Sequence, residues 1–141
     1  MTQQFTSPNL QYSLFCTDVV DHPNGGISIM GVLDGADVRG TVKKGQPIPR
    51  KMFPLKLVLG INAPPGHHQV SLGIRRPSGG IMTKLDLEGF HIGHGETVHR
   101  CVANLDMEVD EDGLYTFEVI LNGQEIGWSV LNMSFVVEFV D

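Results

Sequence analysis

The residues DEDGLYTFEVILNGQEIGWSVLNMSFVVEFV, Asp110–Val140, decide the fold, and their middle predicts a β-hairpin. Asn122-Gly123 is a dipeptide favoured in two-residue type I′ turns, because both central residues need positive φ. A hairpin centred there gives the facing pairs Val119 with Ile126, Phe117 with Trp128 and Tyr115 with Val130, all on one face. A one-residue slip would expose Trp128, so we expect this register to be well specified.

Apolar residues spaced two apart predict strands over much of the remaining chain. The predicted strands are Gln11–Val20, Ile27–Leu33, Pro54–Ile61, a stripe at Val70, Leu72 and Ile74, Ile81–Leu87 and Val98–Val109. After Val130 the apolar parity flips, which predicts a bulge or a change of sheet near Leu131–Asn132. Residues 34–53 have no sustained period and predict a long loop, with a short edge strand as the alternative.

These strands and turns predict one all-β domain, an antiparallel immunoglobulin-like β-sandwich of seven to nine strands. The chain has 141 residues, of which 1–10 are expected to be a flexible N-terminus and 11–141 the sandwich. The segment 111–117, EDGLYTF, resembles the tyrosine corner that enters strand F of immunoglobulin-like domains. The second cysteine of that family falls at Phe117 here, so packing is expected to replace the disulfide.

Short motifs along the chain also resemble a family of small uncharacterised bacterial proteins with an immunoglobulin-like sandwich. The matching segments are LFCTD 14–18, IMGV 29–32, PGHH 65–68, RPSG 76–79, GLY 113–115 and LNGQE 121–125. The resemblance implies the fold and a bacterial cytoplasmic setting. It implies no activity, cofactor or catalytic residue.

Composition favours a cytoplasmic protein. No apolar run approaches the roughly 18 residues of a membrane helix. The beginning MTQQFTSPNLQYS has neither the basic nor the apolar region of a signal peptide. The two cysteines, Cys16 and Cys101, share strand parities with apolar residues and are expected to be reduced thiols in the core.

Charge is strongly segregated along the sequence. The net charge is −6, yet residues 38–85 contain no acidic residue and nine of the ten Lys and Arg residues. This pattern predicts a cationic surface that binds an acidic partner protein or a second copy of the chain, and the candidate residues are Arg39, Lys43, Lys44, Arg50 and Lys51. A merely solvated loop is the alternative. The acidic net charge disfavours nucleic acid.

Histidines form the second candidate site. His91, His94 and His99 flank a possible turn at 93–96, and a hairpin centred on Gly95 would make His91 and His99 cross-strand neighbours. Converging imidazoles could hold zinc or nickel, and His67 and His68 are further candidate ligands from another loop. The alternative is a set of solvated loop histidines.

The rest of the sequence contains no recognised motif for catalysis or nucleotide binding. The sequence lacks a G-x-S-x-G elbow, a P-loop, a G-x-G-x-x-G motif after a strand and an H-E-x-x-H helix. The carboxylates of segment 106–112 suggest either calcium or a solvated turn. The sequence therefore predicts a non-enzymatic protein-interaction or accessory module without a cofactor. A metal- or small-ligand-binding sandwich that uses the His91–His99 loop is the alternative.

Overall fold

The computed structural model describes residues 8–47 and 51–140 and places them in eleven strands. The strands are β1 (Asn9–Asp21), β2 (Ile27–Leu33), β3 (Gly35–Lys43), β4 (Lys51–Asn62), β5 (Gly66–His68), β6 (Val70–Arg75), β7 (Ile81–Asp86), β8 (Phe90–Ile92), β9 (Val98–Val109), β10 (Gly113–Leu121) and β11 (Gln124–Val140). Across these two ranges, no helix is long and apolar enough to cross a membrane.

Three sheets contain these strands. Sheet A has the order β2-β1-β4-β9, sheet B the order β3-β11-β10-β6-β7, and sheet C pairs β5 with β8. Neighbouring strands are antiparallel except β3 and β11, which are parallel. The all-β prediction is confirmed, but the expectation of seven to nine wholly antiparallel strands is wrong.

Sheets A and B share one apolar core. Alternate residues point into it, as the period predicts: Leu55, Leu57, Leu59 and Ile61 from β4, Leu105, Met107 and Val109 from β9, and Tyr115, Phe117, Val119 and Leu121 from β10. The rings of Phe15 in sheet A and Phe117 in sheet B join the two layers, with centroids 4.8 Å apart. Burial of each such side chain stabilises the fold by about 1.5–3 kcal/mol relative to exposure.

The predicted loop at 34–53 is wrong over most of its length, because it contains β3 and the beginning of β4. In β3, Val38, Gly40 and Val42 point inward while Arg39 and Lys43 point outward. The sequence did not predict β3 because Gly40 interrupts its stripe of inward apolar residues. Its partner β11 also lies far away in the sequence and runs parallel to it. The alternative of an edge strand in this region is confirmed.

The N-terminal segment 1–10, predicted to be flexible, overlaps β1, which begins at Asn9. Leu10 pairs with Ile61 of β4. Residues 1–7 lie outside the described ranges.

The turn of the β10–β11 hairpin is confirmed, but its register is wrong by one residue. Asn122 and Gly123 have φ values of 51° and 84°, as a type I′ turn requires. A shift between Val119 and Ile120 makes Ile126 a bulge, so Trp128 pairs with Glu118 and not with Phe117. The bulge predicted near residues 131–132 therefore lies five residues earlier.

The bulge has a steric cause. A Cβ added at Gly127 would lie 2.9 Å from the Cβ of Leu10, so β1 crosses β11 too closely for any larger residue. Next to it the hydroxyls of Ser13 and Ser129 are hydrogen-bonded. The bulge directs Gly127 and Ser129 inward and Trp128 outward, and 61% of Trp128 is exposed.

Tyr115 is fully buried, and its hydroxyl closes the corner that precedes β10. The hydroxyl donates to the Glu111 carbonyl at 2.8 Å and accepts from the Glu111 N–H at 3.0 Å. A buried tyrosine hydroxyl normally needs such partners. The corner is thereby fixed without a disulfide, and the two cysteines are free thiols.

We predict that Tyr115→Phe lowers the free energy of unfolding by about 1–3 kcal/mol, because two backbone groups of Glu111 lose their partner. Urea denaturation measures the change. Tyr12→Phe is the matched control, since its hydroxyl accepts from the exposed Arg100 Nε at 3.2 Å, and its loss should stay below about 0.5 kcal/mol. Equal losses in the two variants would contradict this account.

Candidate functional site

The outer face of sheet B carries the largest exposed apolar side chain of the described residues. Trp128, Val130 and Leu114 are 61%, 42% and 52% exposed, and all three point away from the core. Val130 pairs with Thr116 and Leu114 with Asn132, so the three side chains occupy neighbouring rows of the sheet. Exposed apolar surface of this kind marks interaction sites. We call Leu114, Trp128 and Val130 the Trp128 patch.

A groove extends the Trp128 patch around the side of the molecule. It has a volume of about 290 Å³ and is lined by residues 13–15, 32–34 and 128–130. Leu14 and Val32, which are both exposed, continue the apolar surface onto β1 and β2. The groove lies where β1 meets β11, so the same close approach creates the groove and exposes the tryptophan.

Two of the five predicted partner-binding cations lie on this same face. Arg39 and Lys43 point outward from β3 and pair with Val136 and Val140 at the far end of β11. Among the described residues neither forms a salt bridge. Two acidic residues share this face with them: Glu138, opposite Thr41, and Asp37, two residues before Arg39 on β3. These two cations therefore lie on the edge strand of sheet B, beside the exposed Val136 and Val140.

The other three candidates are placed differently. Lys44 follows β3, and its N–H donates to the Val140 carbonyl at 3.3 Å. Lys51 begins β4 and pairs with Val109 in sheet A. Arg50 lies outside the described residues.

Folding partly undoes the segregation of charge that the sequence shows. Carboxylates lie close to cations of the basic segment: Asp18 lies 3.7 Å from Lys56, Glu118 lies 2.6 Å from Arg75, and Asp110 lies 3.2 Å from Arg76. Strand pairing explains the second pair, because β6 and β10 are neighbours in sheet B. The sequence could not show which carboxylates these strands bring.

The acidic corner before β10 accepts hydrogen bonds from the turn between β6 and β7 and from β11. Asp110 holds Arg76, Glu111 accepts from the Ser78 hydroxyl at 3.1 Å, and Asp112 accepts from the Phe135 N–H at 2.7 Å. Calcium requires six to eight convergent oxygens. These contacts favour a structural role for the corner over the calcium alternative.

The predicted hairpin between His91 and His99 is wrong. β8 pairs with β5 and β9 pairs with β4, so His91 faces His67 while His99 faces Ile61. The buried Phe90 and Ile92 explain this, because pairing with β5 directs them into the core. His94 lies in the exposed turn between the strands. Residues 8–47 and 51–140 contain no group of three or more His, Cys, Asp or Glu side chains placed to hold a metal ion.

Two histidines have structural roles that the sequence did not reveal. His68 is buried, and its Nε2 donates to the Pro64 carbonyl at 2.7 Å, which leaves Nδ1 to accept from Asn122 Nδ2 at 3.0 Å. The ring of His99 stacks on Phe90, with centroids 4.0 Å apart and planes within 5°. Both rings connect sheet C to the sandwich.

A second groove, of about 560 Å³, contains His99 and Cys101. Burial lowers the pKa of His99, although Glu96 opposes the shift, and burial raises the pKa of Cys101. Both groups are therefore neutral near pH 7. A thiolate–imidazolium couple, which a cysteine nucleophile uses, is disfavoured here.

The fold resembles part of a solved protein. No known family profile matches the sequence, and no curated protein shows significant sequence similarity. The Pseudomonas fluorescens alkylpurine DNA glycosylase AlkC, bound to DNA containing an abasic site analog, matches with a TM-score of 0.57 and 14% identity. The match covers 91% of this chain, and this chain spans only 30% of that protein. At this identity the likeness concerns the fold alone.

We predict that the free energy of unfolding falls as the pH drops below 6.5, partly because the unfolded chain protonates His99 before the folded one does. His99→Phe keeps the stacking on Phe90 but cannot titrate, so its pH dependence should be shallower. Urea denaturation between about pH 5 and pH 8 measures both slopes. Parallel curves for wild type and His99→Phe would contradict the prediction.

Proposed function

We propose that this protein is a non-enzymatic protein-interaction or accessory module of a bacterial cytoplasm, which binds its partner through the outer face of sheet B. The observation that carries the proposal is Trp128, which is 61% exposed beside Val130 and Leu114. Tryptophan is enriched at interfaces and among the residues that dominate binding energy. Because Trp128 is exposed, it does not pack in the core, and its place in an apolar patch is better explained by binding to a partner.

The chemistry of the face indicates the chemistry of the partner. The Trp128 patch accepts apolar side chains, and the Arg39–Lys43 edge attracts carboxylates. β11 connects the two, because Arg39 and Lys43 pair with its Val136 and Val140. Their separation from Trp128 along the strand is about 25–40 Å at roughly 3.3 Å per residue. A protein surface with an apolar anchor and a distant acidic cluster fits this face.

Contact with a second copy through its 106–112 segment is less favoured. Asp110 and Asp112 already bond Arg76 and the Phe135 N–H. Transferring them to another molecule would leave these donors without their partners.

We further propose that the sandwich is immunoglobulin-like and belongs to the bacterial family that its motifs resemble. The strand order supports this, because β1, β4 and β9 take the places of strands A, B and E while β6, β10 and β11 take those of C, F and G. The bonds of Tyr115 match those of a tyrosine corner at the start of strand F. The two free thiols suit a reducing cytoplasm.

Catalysis and nucleic-acid binding are less favoured. Burial raises the pKa of both Cys16 and Cys101, so neither thiol is activated. The structurally similar glycosylase was solved with DNA, but the matched part is under a third of that protein. The net charge of −6 opposes a phosphate backbone here.

We predict that Trp128→Ser weakens partner binding at least tenfold, because truncating a tryptophan that dominates an interface costs about 2 kcal/mol or more. Tag-free protein coupled to resin captures partners from a lysate of the source organism, and titration with the purified partner gives the affinity. Arg39→Glu with Lys43→Glu should also weaken binding and reduce its dependence on salt.

Met30→Ser is the matched control, because Met30 is exposed on sheet A and its substitution also removes exposed apolar surface. It should bind as the wild type does. Retention of the partner by Trp128→Ser at wild-type affinity, or equal losses in Trp128→Ser and Met30→Ser, would reject the proposed face.

A further inference from the structure

Sheet C places two imidazoles directly opposite each other on an exposed surface. His67 of β5 and His91 of β8 are a cross-strand pair, and their ring centroids lie 4.6 Å apart with planes tilted by 54°. Both side chains point away from the core. Neither ring takes part in the contacts that hold His68 and His99 in place.

The backbone beneath this pair is anchored from its other face. His68, Phe90 and Ile92 alternate with the two exposed histidines and are buried. His68 is further held by hydrogen bonds to Pro64 and Asn122. The positions of His67 and His91 are therefore fixed by core packing, and little conformational freedom of the backbone is lost when a ligand joins them.

The separation of the rings fits shared ligation of one metal ion. A metal–nitrogen bond of about 2.0–2.1 Å, with the ring centroid about 1.1 Å beyond the nitrogen, places two imidazole centroids about 4.5 Å apart when the N–metal–N angle is about 90° and about 5.1 Å apart when it is tetrahedral. The observed distance is 4.6 Å. Imidazoles rotate about χ2 within broad wells, and exposed rings can turn a nitrogen toward a common ion without disturbing the core.

We propose that His67 and His91 form a two-imidazole site for a divalent transition-metal ion of the nickel–copper–zinc group. Imidazole nitrogen suits these ions, whereas magnesium and calcium prefer oxygen ligands. The site differs from the predicted group His91, His94 and His99, because strand pairing gives His91 another partner. Two protein ligands leave coordination positions open to water or to a donor on another molecule.

The test is calorimetric titration of tag-free protein with Zn²⁺ and with Ni²⁺, and with Mg²⁺ as the control ion. One equivalent of Zn²⁺ or Ni²⁺ should bind, and His67→Gln and His91→Gln should each lower the affinity at least tenfold. His94→Gln, which alters an exposed turn histidine of the same segment, should change it less than twofold. Mg²⁺ should give no binding.

A second measurement uses the wild-type protein alone. Zn²⁺ should shift the imidazole NMR signals of His67 and His91, and should leave those of the buried His68 nearly unchanged. The proposal is overturned by the absence of one-to-one binding, by wild-type affinity in His67→Gln or His91→Gln, or by an equal loss in His94→Gln. It is also overturned if Zn²⁺ shifts other histidines and spares this pair.

Discussion

The close approach of β1 to β11 is the contact on which the arrangement of this molecule depends. Leu10 fills the space in which a Cβ of residue 127 would stand, and the hydroxyls of Ser13 and Ser129 meet beside it. Only small residues fit inward at this crossing, and the bulge at Ile126 brings them there. The same shift turns Trp128 and Val130 outward. One steric constraint thus fixes the register of the hairpin and creates the exposed patch.

The register of β11 also determines what the rest of this strand contacts. Its inward residues Leu131 and Met133 complete the core, and its C-terminal half pairs with β3. That pairing places Arg39 and Lys43 on the same outer face as Trp128. The apolar patch and the cationic edge are two ends of one strand, which is why a single partner surface can address both.

The local elements could be predicted from sequence because their signals are local. The bounds of β2 and β9 and the Asn122-Gly123 turn follow from alternation and turn chemistry. β3, β5 and β8 could not be predicted in the same way, because they are short or weakly apolar and depend on partners far away in sequence. The predicted hairpin register is wrong because the alternation of Ile126, Trp128 and Val130 continues past Gly127, so the bulge that the later parity flip indicates is predicted too far along the strand.

The residues of the candidate site also differ in how far they could be predicted from the sequence. Arg39 and Lys43 could be chosen from charge alone, but the residues that neighbour them on β11 depend on which strands meet. The exposure of Trp128 and the pairing of His67 with His91 are consequences of register and topology. The parity flip after Val130 indicates a bulge, and the glycine immediately before the only tryptophan of the chain could have suggested its position.

Acrylamide quenching of the intrinsic fluorescence tests the central claim most directly, because Trp128 is the only tryptophan in the sequence. The bulge predicts red-shifted emission and quenching close to that of free N-acetyltryptophanamide. Blue-shifted emission that acrylamide barely quenches in the monomeric protein would place Trp128 in the core and contradict the register, the patch and the interface together.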